Sequence, residues 1–422
     1  KGATRAEREA MKVVDSLEKL AGPLQDFWKQ FLDRLPSGWV ADGQTDSQVD
    51  REVLARFVVD QLALRLATGT HDISGVPPRE VGSGLQSLLD LELRRYAAET
   101  TGSPLFLAIE EPEVFLHPSA QRYLGRMFAD ERLAARSLVS SHSPLVLEEA
   151  RFEQVALVRD HVVHQPRGID GDRAAINSWL MSGRGAEVFF ARSVLLVEGP
   201  GDRALFEALR RRLARYDKTG SIDHCYVVDV GANSQFAPWL KLVRAYSPPA
   251  FSWLGVLDSD SVNEVRDAVS HAGLHFSARQ TGELDAVKAA IEANDLGACE
   301  AAARRLAKLA VGETPLLLAP GDLEYVMTSR LSNATATSLG TAVSLSASTA
   351  MEMAERLGTK HRVGGKAVEG PNKKPWIRRH IGQEVPATEL DEFVIGVLER
   401  WLTGAGDSKA ARLAIAAFKS GR

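Results

Sequence analysis

Four carboxylates stand where two apolar runs end. Leu195-Leu196-Val197 leads into Glu198-Gly199-Pro200-Gly201-Asp202, and Leu254-Gly255-Val256-Leu257 leads into Asp258-Ser259-Asp260-Ser261. Each run has strand length and each ends in acids. Gly199 and Gly201 permit a tight turn and close approach of backbone to a phosphate. Glu198 and Asp202 can then point into one space. Asp258 and Asp260 are two apart, so in extended backbone they would share a face. Mg²⁺ takes hard oxygen ligands and keeps several waters, so one or two carboxylates plus a substrate phosphate suffice for each ion. Four acids on adjacent strand ends can seat two ions about 4 Å apart, a spacing that suits phosphodiester hydrolysis.

A lone Asp-x-Asp at a strand end is usually a solvated turn. A strand with Glu-Gly-x-x-Asp, then about 60 residues later a strand with Asp-x-Asp, with alternating helix and strand between, is far more specific. This pair resembles the Toprim domain of topoisomerases, primases and certain nucleases, over about residues 190–330. The resemblance implies that Glu198, Asp202, Asp258 and Asp260 hold two Mg²⁺ or Mn²⁺ ions, with Glu198 also an acid or base. Glu264, one helical turn past Asp260, and Glu324, after a returning strand, are secondary metal candidates. On spacing alone both read as surface or capping residues.

A second constellation lies upstream. Leu105-Phe106-Leu107-Ala108-Ile109 ends in Glu110-Glu111, the Walker B order of ABC-type ATPases, where one acid serves Mg²⁺ and the next polarises the attacking water. Ser140-Ser141-His142-Ser143-Pro144 follows one helix and strand later, where that fold keeps a γ-phosphate-sensing histidine. Val81-Gly82-Ser83-Gly84-Leu85 opens a helix like an ABC signature loop, with Ser83 and Gly84 facing ATP across a dimer. No Gly-x-x-x-x-Gly-Lys-Ser/Thr occurs. Either the phosphate-cradling half lies upstream, which Lys1 in place of Met favours, or the fold is degenerate; in the first case ATP serves the full-length protein. ATP hydrolysis by this chain alone is not expected.

An ABC-type half followed by a Toprim domain is similar to the OLD (overcoming lysogenisation defect) family of nucleases, over roughly residues 75–380. Glu110-Glu111-Pro112-Glu113, Leu116-His117-Pro118 and Ser141-His142-Ser143-Pro144 carry the likeness. That family often has Glu where this chain has Asp202. The resemblance implies a cytoplasmic bacterial or phage homodimer that nicks or cleaves DNA, with any phage-defence partner unidentified. The basic stretch 358–380 suits a DNA backbone: Lys360, Arg362, Lys366, Lys373, Lys374, Arg378 and Arg379 oppose only Glu369. Lys374, before Pro375-Trp376, is the first choice for a transition-state cation, and Lys366 the second.

The elements that must position these groups follow from periodicity. Residues 1–66 carry apolar stripes at helical spacing and read as an arm, with dimerisation as one use. Residues 67–165 read as the C-terminal half of the ABC-type domain. They include strands at Leu105–Ile109 and Ser137–Ser140, a helix over 119–130 and a hairpin ending at His164. A connector spans 166–187 and the Toprim domain 188–330. Its pattern is strand Val194–Val197, helix Arg203–Tyr216, strand Cys225–Val230, helix Phe236–Ala245 and strand Trp253–Leu257, then an Ala-rich helix over Glu283–Leu309 and strand Leu316–Leu318. This is α/β with a Rossmann-like parallel sheet. A helical region with the basic loop fills 331–422, and Ser/Thr/Ala-rich 332–349 reads as a loop before a helix.

Composition fits an enzyme of this kind. The chain has 422 residues, 45% hydrophobic and 25% charged, so two or three cores are affordable. No apolar run approaches the span of a membrane helix. Cys225 and Cys299 cannot build a zinc module, which disfavours a primase. No tyrosine lies in an evident helix-turn-helix, which disfavours a topoisomerase. The formal charge of −4 gives no global nucleic-acid footprint. An ATP-driven DNA clamp or repair scaffold remains the non-nuclease alternative, and retention of all four Toprim acids argues against it.

Overall fold

A computed structural model of the chain describes residues 106–130, 137–166, 185–231, 235–246, 252–309, 314–344, 347–357, 375–404 and 408–420, with short pieces at 83–84, 88, 91, 176–177, 362–363 and 366–367. The helical arm expected over 1–66 lies outside the described residues, as do Lys360, Lys373 and Lys374. Two compact units, Lys1–Val146 and Leu147–Arg422, make up the chain.

In the first unit, β1 (Leu107–Glu110) pairs in parallel with β2 (Ser137–Ser140), Glu110 opposite Ser140. The connecting helix α1 (Pro118–Ala129) begins on Pro118, whose fixed φ suits a first helical position, behind a His117 side chain that accepts from the Ser119 N–H. Leu107, Leu116, Ala120, Leu124 and Met127 pack with Leu88 and Leu91.

The second unit opens with the hairpin β3 (Leu157–Arg159) and β4 (Val162–His164), antiparallel as the sequence suggests. Its centre is a parallel sheet of order β6-β5-β7-β8: β5 is Ser193–Val197, β6 Cys225–Asp229, β7 Ser252–Leu257 and β8 Leu316–Leu318. Helix α2 (Pro200–Ala214) links β5 to β6, and α3 (Phe236–Ala245) leads back past β5 to β7. The chain thus reverses direction between β5 and β7, and the crevice at such a reversal is where open α/β sheets bind ligands. Period-two alternation divides β5 between two cores. Leu195 and Val197 face one, Val194 and Leu196 the other, and all four are fully buried.

The Val194 face is covered by α3, α4 (Val262–His271), α5 (Ala278–Glu292) and α6 (Leu296–Leu309). Phe152, Val155 and Leu157 join that same core. The segment from Leu147 to the hairpin, assigned above to the ATPase half, therefore belongs to the second unit. The 166–187 connector is not purely polar linkage either, because Ile176 and Ala186 are fully buried. The expected single helix over 283–309 is two, parted at Asn294, which adopts a left-handed φ of 54°.

The Leu195 face is covered by α2, α7 (Leu323–Thr328), α8 (Asn333–Ala342), α9 (Ala350–Leu357) and three C-terminal helices, α10 (Pro375–Glu384), α11 (Glu392–Thr403) and α12 (Ser408–Ser420). The C-terminal region is thus one layer of the same unit. The 332–349 stretch is also mostly helix, started by Ser332, whose hydroxyl accepts from the Thr335 N–H. Two short strands, β9 (Arg362–Val363) and β10 (Lys366–Ala367), form a hairpin inside the basic stretch. Among the described residues no helix is long and apolar enough to cross a membrane.

Candidate functional site

Acids gather at the carboxyl edge of the sheet, one from each strand end. Asp229 closes β6, Glu198 follows β5, Asp258 follows β7, and Asp322 follows β8 after the Gly321 turn. Asp258 sits between its neighbours and accepts from the Leu323 N–H at 3.0 Å through Oδ1. Burial pushes its carboxyl well above the ordinary carboxylate range. The charges of Asp202, Asp322 and Glu198 push in the same direction, and the Leu323 N–H opposes them. Four carboxylates on three strand ends and one helix start thus act on one small volume. Ser261 is fully buried and donates to Glu198 Oε2 at 3.4 Å.

Two of these acids are neutralised by arginines. Asp229 Oδ2 lies 3.6 Å from Arg203 Nη1, and Arg203 also reaches Glu187 at 3.3 Å. Asp202 is buried at the start of α2, where Oδ2 accepts from the Gly199 N–H at 3.1 Å. Its other oxygen is bonded by Arg378 Nη1 from α10. Gly201 makes room for this: a Cβ there would lie 2.6 Å from Arg378 Cδ.

The expected metal set is therefore brought together in part. Glu198, Asp202 and Asp258 converge. Asp260 does not share a strand face with Asp258, because the backbone turns at once into a 3₁₀ turn over Ser259–Ser261, closed by Ser261 N–H to Asp258 O at 3.1 Å. Glu264 is exposed in the first turn of α4. Glu324 is the second residue of α7, and Asp322, which caps that helix, acts on Asp258. Asp322 was missed above, although Leu316-Leu317-Leu318 followed by Gly321-Asp322 repeats the strand–turn–acid order of the other motifs. Among the DNA-contact candidates, Arg379 is exposed, whereas Arg378 is buried against Asp202 and does not face solvent. Arg362 and Lys366 lie on the short hairpin.

Oxygen donors alone fit a hard divalent cation, and a cation would relieve the repulsion that holds the Asp258 proton. Among the described residues, no group of three His, Cys, Asp or Glu side chains is arranged to hold a metal ion as it stands. Asp202 has both oxygens engaged, which removes it from such a group.

In the first unit, Glu111 follows β1 with a left-handed φ of 44°, a costly conformation for a non-glycine residue. Its N–H donates to Ser140 O at 3.0 Å. The His142 ring lies 3.4 Å from Glu111 Oε1, and the His142 N–H donates to Glu113 Oε1 at 2.6 Å. A Cβ on Gly84 would lie 2.5 Å from Phe115 O, so the turn after the Glu pair packs directly on that glycine. Glu111 and His142 are thus side by side, and the turn that follows Glu111 packs on Gly84.

Comparison with known proteins agrees with both constellations. Residues 189–260 match the family model "Overcoming lysogenization defect protein-like, TOPRIM domain". Residues 189–260 thus carry an OLD-like Toprim domain. Ahead of it, residues 27–148 match the model "AAA domain, putative AbiEii toxin, Type IV TA system". The chain is similar to OLD nuclease from Thermus scotoductus, 36% identical over 159 residues, covering 33% of this chain and 29% of that protein. It is similar also to endonuclease GajA from Bacillus cereus, 28% identical over 138 residues, covering 30% of this chain and 23% of that protein. The matched segment spans less than a third of either relative's length. The OLD-like Toprim match ends at Asp260, and Asp322 and Arg378 lie beyond it.

Proposed function

We propose that this OLD-family Toprim unit cleaves DNA phosphodiester bonds with Mg²⁺ or Mn²⁺, under the control of the ATPase-like domain in the full-length protein. The observation that carries the reading is the convergence of Glu198, Asp202, Asp258 and Asp322 at the sheet's reversal point, strong enough to raise Asp258. The names of the two relatives, a nuclease and an endonuclease, support the same chemistry. Glu198, Asp258 and Asp322 would hold the ions, with Asp202 and Asp260 in reach of them. Bound there, divalent ions supply Lewis-acid stabilisation of the phosphate and acidify a water.

The chain's own residues do the rest. Glu198, held by Ser261, is placed to take or return a proton at Oε1 or Oε2. Arg379 and the 358–374 stretch carry the charge to hold the DNA backbone, with Lys374 the first candidate to reach the transition state. A homodimer and an ATP requirement belong to the same proposal through the signature-like Ser83-Gly84 start.

The test is nicking of supercoiled plasmid by the whole chain. Cleavage is expected with Mg²⁺ or Mn²⁺, weak with Ca²⁺, which is larger and looser in coordination, and absent in EDTA. Full cleavage in EDTA would overturn the proposal. DNA binding without any cleavage, in every metal, would favour the clamp reading.

A further inference from the structure

The position of Arg378 carries more than a salt bridge. Helix α10 lies along α2 and is fixed to it at three levels. At one end Arg378 spans the Gly201 backbone to Asp202. In the middle Gly382 sits so close that a Cβ would lie 2.7 Å from Leu205 O. At the far end Arg212 Nη1 donates to Gly382 O and Val385 O at 2.9 and 2.8 Å. Ile377 and Ile381 are buried in the same core. The guanidinium is therefore delivered by a rigid element, into a gap that exists only because residue 201 has no side chain.

What it meets there is the acid that opens α2. Asp202 has one oxygen on the Gly199 N–H and the other on Arg378. The same carboxylate opens α2 directly after β5, beside the end of the neighbouring strand β7 that carries Asp258. A cation held at Asp202 and a cation held at Asp258 therefore answer the same negative charge.

We propose that Arg378 is a positioning residue that acts as a built-in counter-ion of the Toprim carboxylates: it holds Asp202 in the metal-free protein and is exchanged for a divalent ion when the site is loaded. This rests on the metal-dependent reading above and adds a competitor to it. The exchange makes and breaks no covalent bond. One charge-assisted hydrogen bond is given up and oxygen–metal coordination replaces it. Two like charges cannot share Asp202 without strong repulsion, so the guanidinium weakens metal binding by as much as it stabilises the unloaded protein.

The test is direct titration of the whole chain with Mn²⁺ in the absence of DNA, by calorimetry, alongside thermal unfolding with and without Mn²⁺. Arg378→Gln is expected to bind Mn²⁺ on the order of tenfold tighter than wild type. It is expected to melt lower in EDTA and to gain more from Mn²⁺ than wild type does. Arg378→Lys, which keeps the charge, is expected to return toward wild-type affinity. A purely structural arginine would lower the melting temperature and leave affinity unchanged or weaker, and that result overturns the inference.

Should Arg378→Gln not fold, Gly201→Ala asks the same question with every charge retained. Its Cβ pushes the guanidinium off Asp202, so tighter Mn²⁺ binding supports the exchange and unchanged or weaker binding overturns it. Asp258→Asn separates the two levels of failure. If wild type binds no Mn²⁺, or binds it no better than Asp258→Asn, the metal reading itself falls and takes this inference with it. If Asp258→Asn weakens binding while the Arg378 variants match wild type, only the exchange falls.

Discussion

At the scale of single residues, Asp258 is where charge and position meet. Its carboxyl is held protonated further up the pH scale than the unfolded chain would hold it, because burial and three acids oppose ionisation. The folded protein therefore keeps a proton that the unfolded chain releases. The corresponding stability is fully present below the ordinary carboxylate range and is lost as pH rises through the elevated value of Asp258. Melting temperature in EDTA is expected to fall across that window in wild type and to stay flatter in Asp258→Asn, which does not titrate. The same variant is expected to lose cleavage while remaining folded. A folded Asp258→Asn protein that cuts at the wild-type rate would end the catalytic reading. Lys374→Ala separates two roles. A fall of about 10²-fold in kcat with little change in DNA affinity marks a transition-state contact, whereas a modest loss of affinity with a shallower salt dependence marks a backbone contact. Asp258 was legible because a strand end is written in apolar residues followed by an acid. Asp322 was written the same way but on a three-residue strand, and Glu324 beside it drew the choice. Arg378 was not legible at all, since a basic residue in a basic stretch gives no sign that its helix turns it inward.

Elements were legible where their pattern was local. Helix α3 lies on the bounds its apolar spacing suggested, Phe236 to Ala245, and β5, β6 and β7 lie within a residue of theirs. Helix α8 was not, because Ser, Thr and Ala are poor signals away from a core, and Ala336 and Leu339 become core only when the Leu195 face is assembled. Long-range anchoring is likewise invisible to local pattern. Asp391 caps α11 through the Phe393 N–H at 2.7 Å and is bonded by Arg304 of α6 at 2.8 and 2.9 Å, with Arg330 at 3.1 Å. Burial alone would raise its carboxyl, but the Arg304 bonds, the Phe393 N–H and the charges of both arginines win and hold it below the ordinary range. This contribution is present above the unfolded value and lost as pH falls through the folded one. Asp391→Ala is expected to cost about 2–3 kcal/mol, a cap plus a charge pair discounted because both arginines are partly exposed. Asp391→Asn, which can still cap, is expected to cost less, and equilibrium denaturation in urea ranks the two. Gly382→Ala sets helix propensity, a gain of about 0.5–1 kcal/mol, against a Cβ 2.7 Å from Leu205 O. Backbone cannot yield there without parting α2 from α10, so a net loss of about 1–2 kcal/mol is expected.

Over the whole molecule, the sheet is defined by the middle of the sequence and completed by its end. The amino ends of β5 and β7 are tied to α11: Ser193 donates to Trp401 O at 2.6 Å, Ser252 donates to Ser193 Oγ at 2.9 Å, and Gly404 leaves no room for a side chain against either serine. Val394, Leu398, Trp401, Leu402 and Ile415 are buried on the Leu195 face. Each is worth roughly 1.5–3 kcal/mol of burial, so their sum rivals the whole stability of a typical domain, about 5–15 kcal/mol. A chain ended at residue 386 is expected to be insoluble or to lack a cooperative melt, whatever metal is supplied, and circular dichroism on that truncation checks it. This wrapping has a consequence for synthesis. The strands bearing Glu198 and Asp258 leave the ribosome before α10, α11 and α12, so one side of their sheet stays bare until those helices emerge. The acids cannot be held in register while their sheet lacks a layer, so the acidic edge takes shape only after α10, α11 and α12 have been made.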